Sequence, residues 1–224
     1  MEAKRMIDLD KQIQLLSLIG EKLKEKIECY IVGGSAMMYH GVKGETKDID
    51  VVLDDEKSRK ILEKILKELG FKERDVRVLY FRKKNTPLLL QRGEERFDLF
   101  VKKVITFEIT QSMKNRIEKV YEYDNLIVKV VSPEDIILFK CATERPGDRI
   151  DASNIIKSFD VDWDVIVEES INQTKLEDSL FPVFLFDFLQ ELKEDFKADV
   201  PNEIIDKVMK IGEEMMEKRY GKDK

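Results

Sequence analysis

Two aspartates interrupt a segment that otherwise has the character of a buried strand. The segment YIVGGSAMMYHGVKGETKDIDVVLDD covers residues 30–55, and a Gly-Gly-Ser turn and a polar stretch precede Asp48 and Asp50. Side chains alternate across a strand, so residues two apart point to the same face and these carboxylates are predicted to lie side by side. They repel each other unless a cation lies between them. The alternative is a surface strand with two solvated acids.

The turn before the aspartates has the features of an anion site. Gly33 and Gly34 allow a sharp turn and a close approach of the backbone to a ligand, and Ser35 is predicted to cap and open a helix. Free N–H groups at a helix start favour phosphate. Gly-Gly-Ser is also a common strand-to-helix turn that binds nothing. With the aspartate pair it predicts a site for a metal-bound nucleoside triphosphate, because Mg²⁺ takes carboxylate and phosphate oxygens.

A third acid follows in a later strand-like run. Asp98 lies between Phe97 and Leu99 in RFDLFV, where an unpaired carboxylate would be costly to bury. It is either a third ligand of the same site or the partner of a core-lining Lys or Arg. As a ligand it would converge with Asp48 and Asp50 in one cleft. The three then form a predicted catalytic and metal-binding set for two ions, Mg²⁺ or Mn²⁺.

These motifs together resemble the nucleotidyltransferase fold of the DNA polymerase β-like superfamily. Its pattern begins with four positions: a hydrophobic residue, a Gly, a residue that is either Gly or Ser, and a Ser. An Asp-x-[Asp/Glu] segment follows, and a further acid lies later in the chain between hydrophobic residues. VGGSAMMYHGVKGETKDIDVVL and RFDLFV fit this pattern. Within the superfamily the chain is similar to small prokaryotic nucleotidyltransferases that include the AbiEii-type toxins of abortive-infection systems.

The resemblance implies a fold and an activity. The fold is α+β: a small mixed β-sheet nucleotidyltransferase core flanked by helices, with a C-terminal all-helical part. The activity is an enzyme that moves a nucleoside monophosphate group from a nucleoside triphosphate to a hydroxyl of RNA, a protein or a small molecule by a two-metal mechanism. Gly33, Gly34 and Ser35 would bind the nucleotide.

The resemblance continues into SPEDIILFKCATERPGDRIDASNII, residues 132–156. It implies that Lys140 binds the nucleotide phosphates, and that Asp148 and Asp151 brace the helices or line the cleft. The alternative for Lys140 is a solvated side chain at the end of an apolar helix.

One position departs from the relatives. They commonly have Arg two residues before the Thr of the Thr-x-Asp-Ile-Asp segment, where this chain has Gly44. Lys43 or Lys47 would supply the missing cation, without the bidentate fork of Arg. The departure leaves the choice of nucleotide and the activity of the site open. The alternative function is therefore a catalytically silent nucleotide-binding or toxin–antitoxin interaction module on the same fold. The apolar helical tail from residue 178 onward suits an antitoxin partner or a homodimer.

Composition limits the other function classes. No window approaches the length of apolar sequence needed for a membrane span, and the net charge of −6 offers nucleic acid no general attraction. RNA would have to bind locally, at the basic stretches 82–84 and 101–104. Cys29 and Cys141 lie in apolar segments and are predicted to be buried free thiols, which favours a cytoplasmic location.

Hydrophobic periodicity changes character near residue 131. Before it, helical spacing alternates with short β-rich runs, among them VRVLYF, PLLLQR, RFDLFV, KVYEY and LIVKVV. After it, apolar residues recur only at helical spacing. The pattern predicts a nucleotidyltransferase core over residues 1–131 and a helical C-terminal domain over residues 132–224.

Overall fold

The computed structural model describes residues 6–75, 84–143, 145–177 and 179–221. Residue contacts divide the chain into two compact units, Met1–Ser132 and Pro133–Lys224. We call them the sheet unit and the helical unit. The predicted domain boundaries, 1–131 and 132–224, stay a prediction.

The sheet unit contains a central mixed β-sheet and a small separate one. Its strands in the described ranges are β1 (Ile7–Asp8), β2 (Ile27–Ile31), β3 (Glu45–Thr46), β4 (Ile49–Leu53), β5 (Lys72–Glu73), β6 (Leu88–Arg92), β7 (Glu95–Val101), β8 (Lys103–Val104), β9 (Phe107–Glu108), β10 (Lys119–Tyr123) and β11 (Leu126–Val130). Neighbours in the central sheet follow the order β10, β11, β2, β4, β7, β6, β5, with β8 beside β7 and β9 beside β8. Strand β4 is antiparallel to β2 and parallel to β7. Strands β1 and β3 form the separate sheet.

The helices of the sheet unit begin, except for the second, where a side chain satisfies one of their first free N–H groups. Asp8 accepts a hydrogen bond from the Lys11 N–H at 2.8 Å at the start of the first helix, and Asp55 accepts one from the Ser58 N–H at the start of the third. These helices are α1 (Leu9–Lys22), α2 (Gly33–Tyr39), α3 (Glu56–Glu68) and α4 (Gln111–Asn115).

The helical unit follows from the apolar spacing and proline positions of its sequence. Proline occupies the first turn of three of its helices, where no N–H partner is needed. Apolar side chains such as Phe181, Leu185 and Phe188 are buried along one helix face. The helices are α5 (Pro133–Cys141), α6 (Pro146–Ser158), α7 (Trp163–Leu176), α8 (Phe181–Glu194) and α9 (Asn202–Tyr220). Among the helices described, none combines the length and apolarity that crossing a membrane requires.

The predicted α+β fold class is confirmed. Of the runs predicted as strands, PLLLQR, RFDLFV, KVYEY and LIVKVV match β6, β7, β10 and β11 in that order, each to within one residue at either end. The run VRVLYF, residues 76–81, lies outside the described residues. Cys29 and Cys141 are buried free thiols, as predicted, and burial raises the pKa of Cys29 to about 12.

Candidate functional site

Three aspartates meet at one end of the strand pair β4 and β7. Asp50 and Asp98 are direct partners in this parallel pair, so their side chains leave the same face of the sheet. Asp48 immediately precedes β4 and shares the parity of Asp50. The structure therefore brings together the acids that the sequence predicts as one set. Their catalytic and metal-binding roles stay predictions.

An arginine joins two of these acids. Arg96, on β7, donates from Nε to Asp98 Oδ1 at 2.8 Å and from Nη2 to Asp98 Oδ2 at 2.7 Å. The same Nη2 lies 2.6 Å from Asp48 Oδ2. The Asp98 side chain is 0% exposed, whereas those of Arg96 and Asp48 are each 23% exposed. The ion pair with an arginine, which the sequence leaves open as the alternative for Asp98, is thus present within the acid set.

The chemistry of this donor set fits a hard divalent cation. Carboxylate oxygens are the protein ligands that Mg²⁺ and Mn²⁺ prefer, and the guanidinium of Arg96 already acts as a stand-in cation for Asp48 and Asp98. Within the described residues, however, no three His, Cys, Asp or Glu side chains are grouped so as to hold one ion. The arrangement is a cation-paired acid cluster and not a preformed ion cage.

The start of helix α2 lies against the acid cluster. The Val32 N–H donates to the Asp50 carbonyl oxygen at 3.2 Å, which fixes the helix start beside β4. Gly33 has a φ of +60°, and a Cβ there would lie 2.8 Å from Asp50 Oδ2. Glycine is required at this position both for its backbone conformation and for the closeness of the carboxylate.

The predicted capping role of Ser35 is wrong. Helix α2 begins at Gly33 with Val32 as its N-cap residue, so Ser35 already lies in the first turn. The chain turns earlier than predicted because glycine accepts the positive φ at Gly33. Ser35 is buried, and its Oγ donates to the Asp48 carbonyl oxygen at 2.9 Å. This hydrogen bond holds α2 against the segment that carries Asp48 and Asp50. The binding of a nucleotide by Ser35 stays a prediction.

Two further side chains surround Gly34. A Cβ at Gly34 would lie 2.6 Å from Thr46 Oγ1 and 3.6 Å from Lys43 Nζ. An ammonium group therefore lies beside the helix start that the sequence predicts as the phosphate site. Of the two substitute cations that the sequence offers, Lys43 is placed there and Lys47 is exposed. Gly44, at the position of the relatives' Arg, has open space around it.

Lys140 lies in a second ion cluster, within the helical unit. Its Nζ donates to Asp148 Oδ1 and to Asp151 Oδ2, each at 2.8 Å. Burial by itself would raise the pKa of Asp148, but the Lys140 ammonium and hydrogen bonds from Lys140 and Thr143 lower it to about 2. These contacts brace α5 against α6. They do not test the predicted binding of phosphates by Lys140, which stays a prediction.

A family model matches most of the chain. Residues 4–193 match the family described as "Nucleotidyltransferase of unknown function (DUF6036)". The chain belongs to this family. Membership supports general nucleotidyl transfer and an enzymatic activity for the chain.

Other comparisons give more distant likenesses. No curated protein matches this nucleotidyltransferase. A crystal structure of ANT(2″)-Ia in complex with adenylyl-2″-tobramycin is 19% identical with a TM-score of 0.43, covering 80% of this chain and 98% of the other. A crystal structure of an antigenic nucleotidyltransferase-like protein from Paracoccidioides brasiliensis is 18% identical with a TM-score of 0.47, covering 88% of this chain and 96% of the other.

Sequence reasoning missed the place of Arg96 in this nucleotidyltransferase. The signal is the same strand parity that pairs the aspartates, because Arg96 stands two residues before Asp98 and points to the same face. Of the basic stretches predicted to attract RNA, residues 82–83 lie outside the described residues. Lys103, in the other stretch, pairs with Glu108 at 3.5 Å.

Proposed function

We propose that this nucleotidyltransferase moves a nucleoside monophosphate group from a nucleoside triphosphate to a hydroxyl acceptor. One observation carries the proposal: three aspartates share one sheet face, and one of them, Asp50, lies against the glycine start of helix α2. In the transfer, the acceptor oxygen forms a bond to the α-phosphorus and loses its proton to solvent water. The bond from the α-phosphorus to the oxygen that bridges to the β-phosphate breaks, and pyrophosphate leaves.

The triphosphate is proposed to bind where α2 begins. Side chains are absent at Gly33 and Gly34, and the first N–H groups of the helix are directed there. The Lys43 ammonium beside Gly34 supplies a positive charge for the phosphates. This position supports Lys43 as the substitute for the arginine that AbiEii-type enzymes commonly have. The specific likeness to AbiEii-type enzymes belongs to this proposal and rests on the motif residues.

Asp50 and Asp98 are proposed to have different roles because they lie on different strands. Helix α2 follows β2, and β4 separates β2 from β7 in the sheet. Asp98 on β7 is thus one strand farther from the phosphate site than Asp50 on β4, which places Asp98 on the acceptor side. Asp48, Asp50 and Asp98 would hold Mg²⁺ or Mn²⁺, which when bound activates the acceptor hydroxyl and neutralises charge on the departing pyrophosphate.

Radiolabelled transfer tests this proposal. Wild-type protein is incubated with each labelled triphosphate, Mg²⁺ or Mn²⁺, total RNA and cell extract. Asp98→Asn is expected to abolish transfer while nucleotide affinity stays within about threefold of wild type, because the acids nearest the phosphates remain. Asp50→Asn is expected to weaken both. Asp54→Asn is the matched control, since Asp54 follows the same strand and pairs with Lys114. Transfer that persists in Asp98→Asn contradicts the proposal.

A second candidate is a nucleotide-binding module without transfer activity, serving an antitoxin partner or a homodimer. The pairing of Arg96 with Asp48 and Asp98 favours it, because a permanent guanidinium would keep metal out. Nucleotide binding without transfer to any acceptor, in the presence of either metal, is the outcome that supports it. For both candidates the buried free thiols Cys29 and Cys141 suit the reducing cytoplasm.

A further inference from the structure

The guanidinium of Arg96 occupies the side of the acid cluster that a cation would take. It contacts both oxygens of Asp98 and one oxygen of Asp48, at 2.6–2.8 Å. Arg96 and Asp98 are two residues apart on β7, so one strand delivers the acid and its cation to the same face. A planar fork bound to both oxygens of one carboxylate is the strongest geometry for this kind of ion pair.

Burial makes this ion pair necessary in the absence of another cation. Asp98 is fully buried, and an ionised carboxylate without a partner is costly to bury. The register pairing of Asp98 with Asp50 adds a second carboxylate next to it, which increases the need for positive charge. Arg96 thus balances the charge of Asp48 and Asp98 and holds both side chains in position.

We propose that Arg96 is the internal counter-cation of the acid cluster, and that a divalent metal ion binds by displacing its guanidinium from Asp48 and Asp98. The metal and the guanidinium compete for the same oxygens, so Arg96 sets the metal affinity of the site. Arg96 is a positioning residue, because it acts through the acids. The inference rests on the proposed function for the identity of the incoming cation.

The metal ion and the Arg96 guanidinium are expected to compete for two reasons, their charges and the geometry of the site. Two positive groups cannot share one carboxylate at contact distance without repelling each other. The Arg96 side chain is partly exposed at 23%, so its guanidinium can exchange the carboxylates for water by rotating about its own side-chain bonds. Asp98 has no exposed surface and stays where the strand places it. The arginine is therefore the mobile member of the pair.

Metal titration of Arg96→Gln tests the inference, because the melting temperature and the metal affinity are expected to change in opposite directions. The metal-free variant is expected to melt below wild type in EDTA, since the acids lose their counter-cation. Its affinity for Mn²⁺ by calorimetry is expected to rise roughly tenfold or more, because the metal no longer displaces a charged hydrogen-bonding partner. If Arg96 only stabilised the fold, Arg96→Gln would lower both the melting temperature and the Mn²⁺ affinity. Arg96→Lys, which keeps the charge but lacks the fork, is expected to fall between the two.

Arg92→Gln is the matched control. Arg92 pairs with Glu95 at 2.6 Å in the same hairpin, and Glu95 has the opposite strand parity from Arg96 and Asp98. Its loss removes an arginine ion pair without touching the acid cluster, so Mn²⁺ affinity is expected to stay at the wild-type value.

Nuclear magnetic resonance of nitrogen-labelled arginine side chains keeps the test independent of variant folding. In the wild-type protein, saturating Mg²⁺ is expected to shift the Arg96 Nε signal toward that of a solvated arginine.

Several outcomes overturn the inference. They are an unchanged or weaker Mn²⁺ affinity in Arg96→Gln, an Arg96 signal that does not respond to bound Mg²⁺, and no metal binding in wild type or variant. Metal binding by Arg96→Gln alone also overturns it, because the guanidinium then excludes the metal in wild type and is not displaced by it. Failure of the proposed function appears differently, as metal binding without triphosphate binding or transfer.

Discussion

Two clusters of aspartates and basic side chains, one in each unit, are built from similar groups but differ in burial. In the helical unit, the Lys140 side chain is 7% exposed and that of Asp148 is 9% exposed. In the sheet unit, the Arg96 and Asp48 side chains are each 23% exposed although Asp98 is fully buried, and Asp50 lies beside Gly33. The first cluster is closed to solvent, and the second is open on the side of the guanidinium.

The difference shows how similar pairs serve stability or binding. A closed ion pair has exchanged its water for permanent partners, so removing one member leaves a buried charge. In the sheet unit only the arginine end of the pair reaches water, so a ligand cation can replace the guanidinium there while the buried Asp98 still needs a positive partner. We therefore expect the helical-unit cluster to determine stability and the sheet-unit cluster to determine binding.

Removal of Lys140 is expected to give the largest effect on stability. Lys140→Met leaves the buried Asp148 and the half-buried Asp151 without their ammonium, which costs about 3–5 kcal/mol. Urea unfolding monitored by circular dichroism measures the loss. Lys157→Met, an exposed lysine on α6, is the control and is expected to change stability by less than about 0.5 kcal/mol. A larger loss in Arg96→Gln than in Lys140→Met would reverse the comparison.

Acid is expected to weaken the helical-unit cluster over a defined pH window. The pKa of Asp148 is lowered from 3.8 to about 2 in the folded chain. A lowered folded-state pKa means that the stabilisation is fully present above 3.8 and is lost as the pH falls toward 2. The loss is about 2 kcal/mol. Unfolding free energies measured between these pH values test it, and Asp148→Asn should flatten the dependence. An equally steep curve in that variant would assign the effect to other acids.

Gly33→Ala is expected to disturb the sheet-unit cluster. A side chain at a φ of +60° is strained, and the new Cβ would lie 2.8 Å from Asp50 Oδ2. We expect a loss of about 1–2 kcal/mol in the free energy of unfolding. Gly44→Ala is the control, because nothing lies within 4 Å of a Cβ there. Equal stability of both variants would show that the close approach of Gly33 to Asp50 is not required.

Lys43→Ala is expected to give the smallest effect, on binding alone. Loss of one ammonium from the proposed phosphate site should weaken triphosphate affinity by about tenfold, because a charged hydrogen bond is lost. Lys47→Ala should bind as wild type, since Lys47 is exposed and Lys43 is the lysine beside Gly34. Calorimetry with a non-hydrolysable triphosphate compares them. Similar losses in both variants would mean that general charge, and not the placement of Lys43, attracts the nucleotide.

The sequence alone predicts those structural features that depend on interactions between residues close together in the chain. Strand parity alone places Asp48 beside Asp50, and apolar spacing alone predicts helices such as α1 and α3. The contact between Arg96 and Asp48 needs more, because β4 and β7 are far apart along the chain and their pairing depends on the order of strands in the sheet. Parity gives the face of a residue but not the neighbouring strand.

Two other features could not be predicted for different physical reasons. Strands β1 and β3 contain two residues each, which is too short to show any periodicity. Ser35 predicts too late a start for α2, because Ser is a strong N-cap residue in general whereas the positive φ of Gly33 sets the turn here.

The pairing of Asp50 with Asp98 also limits how this chain can vary in length. Their spacing is set by the separation of hydrogen-bonded strands, about 4.8 Å, and not by the packing of neighbouring side chains. Substitutions around them can therefore accumulate while the distance is conserved. A single inserted or deleted residue within β4 or β7 would instead turn one carboxylate to the opposite face of the sheet. Length differences among functional relatives should consequently fall in the connections between strands and leave these two strands unchanged.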